Sequence, residues 1–267
     1  MSEISSAKLS IDPALLPRGT RARVLDVGCG DGRHVAAAAQ RGCRAIGVDY
    51  DIAELRRARE RLRSQRVDLV GADASALPFR PGVFDAVICT ETLEHLPDDT
   101  GAMREVARVL RSGGRLLGAV PSHFTELLFW RLSRGYWDTP GGHVRVYRPR
   151  ALVVALRRAG LRVEGVRYLH FVDSLFWLRF CLADFVRRQP ASPFEAAVAL
   201  AVARERATPS WRARLRRAFA RSRFIAAFDA AGALVWPKSL AFVALRVEDP
   251  PTAAPAAASA APIVAVE

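Results

Sequence analysis

From Arg21 onward, short apolar runs alternate with amphipathic stretches: RARVLDVG, DGRHVAAAAQRG, RAIGVD, DIAELRRARERLRSQ and VDLVGAD follow one another. Short aliphatic runs closed by glycine or aspartate predict strands, and apolar positions three and four apart predict helices. A further strand, FDAVICTE, precedes a helix over about Asp99 to Leu110. Ser112-Gly113-Gly114 predicts the break before the strand GRLLGAV. RPRALVVALRRAG reads as a helix, LRVEGVRYL as the next strand and KSLAFVALRVE as the last. Strands and helices alternating in this way predict an α/β fold, a parallel sheet with helices on both faces.

Residues 170–237 separate the last two strands and are too long for a plain loop. Ser192-Pro193-Phe194-Glu195 combines an N-cap, a proline at the first helical position and a capping-box glutamate, and Thr208-Pro209 repeats the first two signals. Three or four inserted helices are expected. The tail PPTAAPAAASAAPIVAVE is of low complexity and is expected to be disordered. The chain therefore divides into an N-terminal extension (1–20), a core (21–169), a helical insertion (170–237), a final core strand (238–249) and a tail (250–267).

The composition, 51% hydrophobic and 25% charged over 267 residues, excludes disorder throughout. The net charge of +13 is unevenly placed: residues 1–120 hold 18 basic and 16 acidic side chains, residues 121–267 hold 22 and 11. Only Lys8 and Lys238 are lysines. Cys29, Cys43, Cys89 and Cys181 have no metal or disulfide spacing, so no metal is expected and a reducing cytoplasm fits best. The N-terminus lacks a long apolar core, and no uncharged apolar window of membrane-spanning length follows; neither secretion nor a span is expected.

VLDVGCGDG closes the first strand and opens the first helix, with glycines at 28, 30 and 32. A dinucleotide fingerprint wants its third glycine at position 33, which is Arg. Asp26 ahead of the glycines is poor company for a pyrophosphate and a good partner for an ammonium. The helix amides beyond can receive a carboxylate, so the loop suits a zwitterion. Asp49 ends the second strand, where a carboxylate can accept two ribose hydroxyls, and Asp73-Ala74 ends the third, in place to contact an adenine.

VLDVGCGDG, GVDYD, GADASALPF and FDAVICTETLEHL, followed by REVARVLRSGGRLLGAVP, resemble the class I S-adenosylmethionine-dependent methyltransferases over about residues 22–121. The resemblance implies a Rossmann-like, doubly wound sheet of seven strands with an antiparallel last strand and the helical insertion before it. It implies S-adenosylmethionine as cofactor, with Asp26, Gly28, Gly30 and Gly32 on the methionine moiety, Asp49 on the ribose and Asp73 with Ala74 on the adenine. Thr90 and Glu91 would sit near the sulfonium, and Cys29 and Tyr50 flank the same contacts. Ser112 replaces the proline usual in the family's turn.

Methyl transfer is an in-line displacement that gains from alignment, and an oxygen acceptor gains further from a base. His123, after the fifth strand, ranks first; His95, in LEHL, and His143, beside Gly141-Gly142, Arg145 and Tyr147, are the other candidates. RNA is the alternative acceptor for a basic chain. Against nucleic acid stand CTETLEHL in place of an NPPY-like motif, the lack of a Pro-Cys nucleophile and the lack of an RNA-binding module. Phe171, Leu175, Leu178, Leu182 and Phe185 form an apolar stripe. Residues 204–223 carry eight arginines with Trp211 and Phe219. This pairing fits an anionic membrane surface or a lipid-like substrate. The expected function is methylation of an oxygen on a hydrophobic or glycosylated small molecule, in the cytoplasm or peripheral on the inner membrane face. A cofactor-binding protein without catalysis is the other alternative.

Overall fold

A computed structural model describes residues 9–133, 142–187, 223–247 and 264–265. The capping motifs at Ser192 and Thr208, and all the clustered arginines except Arg223, lie outside the described residues. Seven strands make the sheet: β1 (Arg23–Val27), β2 (Arg44–Asp49), β3 (Val67–Gly71), β4 (Phe84–Thr90), β5 (Leu110–Pro121), β6 (Leu161–Leu169) and β7 (Ser239–Arg246). Their order is 3-2-1-4-5-7-6, with β1 to β5 parallel and β7 antiparallel. This is the expected Rossmann-like arrangement.

Helices α1 (Arg33–Gln40), α2 (Ile52–Leu62) and α3 (Asp99–Val109) follow β1, β2 and β4. Each obeys its apolar spacing. Helix α2 buries Leu55, Ala58 and Leu62, and the Asp51 side chain caps it by accepting from Ala53 N–H. Helix α1 buries a run of small residues, Val35 to Ala38, together with His34. The central strand β1 buries every residue after Arg23, and its Val24 joins α1, α2 and the N-terminal residues Ile11 and Leu16 in one core. Val27 pairs with Val48 and Cys89, and Asp49 with Gly71, so β1 to β4 end level. Everything that follows those four ends meets at one edge.

Three features differ from expectation. Leu110 pairs with Phe84, but Arg115 pairs with Ala86, so Ser112-Gly113-Gly114 lies in an irregularity within β5 rather than ahead of it. Gly113, at φ 68°, supplies the left-handed residue it needs. Two residues of the tail, where disorder was expected, form β8 (Val264–Ala265), which pairs antiparallel with Val70 and Gly71 of β3. Helix α4 (His123–Leu132) follows β5 at once. Its sequence, HFTELLFWRL, is apolar on several faces, which hid its period.

The chain forms two compact units. The first holds residues up to Val120, Pro149–Arg167 and those from Ala241; the second holds Pro121–Arg148 and Tyr168–Leu240. The second unit thus exceeds the expected insertion, because the chain leaves the core where β5 ends. Helix α5 (Pro149–Arg158) belongs to the first; α4, α6 (Phe171–Arg187) and α7 (Arg223–Ala233) belong to the second. In α6, Ser174 and Cys181 are buried while Leu175, Leu182 and Phe185 are exposed, so most of the predicted apolar stripe faces outward. No helix among the described residues is long and apolar enough to cross a membrane.

Candidate cofactor and active site

The chain turns sharply after β1 because the N–H groups of both Gly28 and Cys29 donate to the Val48 carbonyl, at 2.8 and 2.9 Å. Gly28 sits at φ 69°, and a Cβ there would lie 2.3 Å from Thr92 Oγ1. Thr92 Oγ1 is itself 3.2 Å from the Val27 carbonyl and 3.0 Å from that of Thr90, which ties the end of β1 to the end of β4. Gly30 and Gly32 also have positive φ, and Gly32 opens α1. Cys29 is buried beside them.

Just ahead of this turn, in β1, Asp26 is 1% exposed, and neither carboxylate oxygen has a hydrogen-bond partner of normal geometry. Burial pushes its pKa up to about 8; Arg33 and the Val35 N–H oppose the rise, and Asp49 and Asp31 add to it. A buried carboxylate without a well-placed donor is costly, and a ligand ammonium would satisfy it. Asp49 already accepts Gly30 N–H at 2.8 Å and Asp51 N–H at 2.9 Å. Asp73 Oδ1 accepts Ser75 N–H and Oγ–H, both at 2.8 Å, which fixes the turn after β3; Ala74 beside it is buried. Tyr50 is 83% exposed at the end of β2. Thr90 closes β4 and is buried, and Glu91 follows at φ 51°, its N–H held by the Ala119 carbonyl at 2.8 Å.

The candidate bases fall in both units. His95 ends the short 3-10 turn Leu93–His95 that follows β4, beside the buried Glu94. In the second unit His123 is the first residue of α4 rather than part of a loop; burial, then Arg148, hold its pKa below the usual imidazole value. His143 Nδ1 lies 2.8 Å from Glu126 Oε2, and Glu126 Oε1 accepts from Lys238 Nζ at 3.3 Å. Glu126 is fully buried, and the Lys238 ammonium stands 5.9 Å over the Trp177 ring. With Nδ1–H given to the carboxylate, Nε2 is the basic nitrogen of His143. Sequence reasoning missed Glu126 and Lys238. A signal existed: Lys238 is one of two lysines in a chain that otherwise uses arginine.

A sheet of order 3-2-1-4-5-7-6 with one antiparallel strand, with an acid at the end of its first strand ahead of a glycine turn that lacks the third dinucleotide glycine, is the arrangement of the class I S-adenosylmethionine-dependent methyltransferases. Residues 25–118 match the family described as "Methyltransferase domain". The cofactor of that class fits the residues present: Asp26 would hold its ammonium, Asp49 its ribose hydroxyls, and Asp73 with Ala74 its adenine.

The chain is 43% identical over 99 residues to Methyltransferase GfsG of Streptomyces halstedii, covering 35% of this chain and 36% of that protein. It is 32% identical over 166 residues to the ubiquinone biosynthesis O-methyltransferase of Xylella fastidiosa, covering 55% and 65%. The chain therefore spans from about a third to just under two thirds of these curated relatives. Among solved structures, the YcgJ protein of Bacillus subtilis superposes with a TM-score of 0.56 at 19% identity, over 89% of this chain and 97% of that one, a likeness of fold.

Proposed function

We propose that the protein transfers the methyl group of S-adenosylmethionine to an oxygen of a small, hydrophobic or glycosylated acceptor. The observation that carries the cofactor half of this reading is Asp26: a buried carboxylate with no well-placed donor, ahead of three positive-φ glycines, asks for a cation of ammonium size. When bound, S-adenosylmethionine supplies an electrophilic methyl group on its sulfonium. The chain supplies the grip through Asp26, Asp49, Asp73 and Ala74, with Thr90 and Glu91 at the end of β4.

For the acceptor half, the relative named as a ubiquinone biosynthesis O-methyltransferase supports oxygen as the reacting atom. His143, with Nδ1 held by Glu126, is the side chain best prepared to take the acceptor's proton on Nε2. The exposed apolar residues of α6, Val172, Leu175, Leu182 and Phe185, support an amphiphilic acceptor or peripheral contact with an anionic membrane.

Calorimetry with S-adenosylhomocysteine and NAD tests the cofactor. Binding of the sulfur compound and none of NAD is expected; the reverse overturns the reading. Transfer of labelled methyl to phenolic lipids, glycosides and tRNA tests the acceptor. Label on tRNA alone would move the reading to RNA, and cofactor binding without any transfer would favour a protein that only binds it.

A further inference from the structure

Ser10, His34 and Thr90 form a hydrogen-bonded line through the first unit. Ser10 N–H donates to His34 Nε2 at 3.4 Å, and His34 Nδ1 lies 3.3 Å from Thr90 Oγ1. All three residues are buried. A backbone amide only donates, so Nε2 is the acceptor and the ring proton resides on Nδ1. Nδ1–H then donates to Thr90 Oγ1, and the threonine's own proton must be given elsewhere. Among the described residues it has no acceptor.

The ring stays neutral. Burial, then the neighbouring Arg33, lower its pKa to about 3, so its tautomer is unaffected near neutral pH. The segment that presents Ser10 is firmly held: Ile11 and Leu16 are buried in the core, and Arg41 Nε and Nη2 donate to the Leu16 carbonyl at 3.0 and 2.7 Å. Thr90, at the other end of the line, closes β4 at the edge where the glycine turn and Asp49 lie.

We propose that His34 is a positioning residue that makes Thr90 a hydrogen-bond donor to the methionine carboxylate of the bound cofactor, with the Ser10 amide fixing the tautomer. The carboxylate, part of the same short methionine chain as the sulfonium near which Thr90 is expected, is the acceptor-only group of that moiety, and a hydroxyl whose lone pair is already engaged is oriented to donate to it. The proposal rests on the cofactor reading above. It links the N-terminal segment to the cofactor through a side chain that touches no ligand.

The test uses the full chain, imidazole ¹⁵N spectra and calorimetry with S-adenosylhomocysteine, each variant first checked for a cooperative melt. Wild type is expected to show His34 as the Nδ1–H tautomer. Thr90→Val should weaken binding about five- to tenfold and Thr90→Ser by less than about twofold, the scale of one hydrogen bond. His34→Leu should cost about as much as Thr90→Val, and the double variant no more than either. Ser10→Pro removes the amide donor and should yield mixed tautomers. An Nε2–H tautomer in wild type, additive losses in the double variant, or a Thr90→Ser protein as weak as Thr90→Val overturns the proposal, and the tautomer reading stands even where His34→Leu fails to fold. Wild type that binds no S-adenosylhomocysteine overturns the cofactor reading as well; wild type that binds while Thr90→Val is unaffected overturns this inference alone.

Discussion

Asp49 accepts the backbone N–H of Gly30 through Oδ2 at 2.8 Å. The acid assigned to the ribose is therefore also the clasp of the glycine turn, with its other oxygen engaged by Asp51 N–H. Each carboxylate oxygen has a second lone pair, so both tasks coexist. The second strand thus shapes the loop that follows the first.

Removing that clasp should loosen the loop and the cofactor together. Asp49→Ala is expected to weaken S-adenosylhomocysteine by about 10- to 150-fold, the scale of hydrogen bonds to a charged group. Calorimetry on the folded variant measures it, and unchanged affinity would remove Asp49 from the site.

Asp26 should make cofactor affinity depend on pH. Its folded pKa of about 8 lies above the ordinary 3.8, so near neutrality the carboxyl is largely protonated. An arriving ammonium favours the carboxylate, so affinity for S-adenosylhomocysteine should rise from pH 6 towards 8, with proton release visible as buffer-dependent binding heat at pH 7. Stability has the opposite slope: the native state holds the extra proton between pH 3.8 and 8, and stability falls as pH rises through that window. Asp26→Asn should therefore melt higher than wild type at pH 8.5, by an amount reflecting up to about 5 kcal/mol, and bind the cofactor poorly. Equal melting temperatures at pH 8.5 would refute the strain at Asp26.

His34 carries the complementary prediction. Its folded pKa of about 3 lies below the ordinary 6.5, so the unfolded chain binds more protons between those values. Stability from this group is complete above pH 6.5 and is lost as pH falls towards 3. Urea unfolding from pH 7 to 4 should show a steeper decline for wild type than for His34→Gln. Parallel declines would assign acid lability to other groups.

The Glu126 cluster should reveal itself by non-additivity. Lys238→Met leaves a fully buried carboxylate short of its cation and should cost about 3–5 kcal/mol in urea unfolding. Glu126→Leu with Lys238→Met should restore part of that loss, because no unbalanced charge remains. Losses that simply add would mean the two side chains do not interact.

The strands and the glycine loop were legible because both are local: a buried parallel strand needs a short aliphatic run, and a turn against Thr92 needs Gly28. Asp26 and Asp49 were readable from their places at strand ends. The clasp between Asp49 and Gly30, the Ser10–His34–Thr90 line and the Glu126–His143–Lys238 cluster were not, because each joins residues far apart in sequence. His34 lies inside an alanine-rich helix and read only as part of its buried face. Helix α4 was hidden for another reason: nearly every side of it is apolar, so no period stood out.

The backbone passes between the two compact units at Val120, Arg148, Arg167 and Leu240. The second unit is thus written in two separate stretches, interleaved with the core rather than appended to it. A chimera that inherits only the long stretch takes His170, Trp177 and Lys238 without Glu126 and His143. Exchange of the second unit between relatives, by recombination or by design, has to carry both stretches at once, while the glycine loop and its acids can stay behind unchanged.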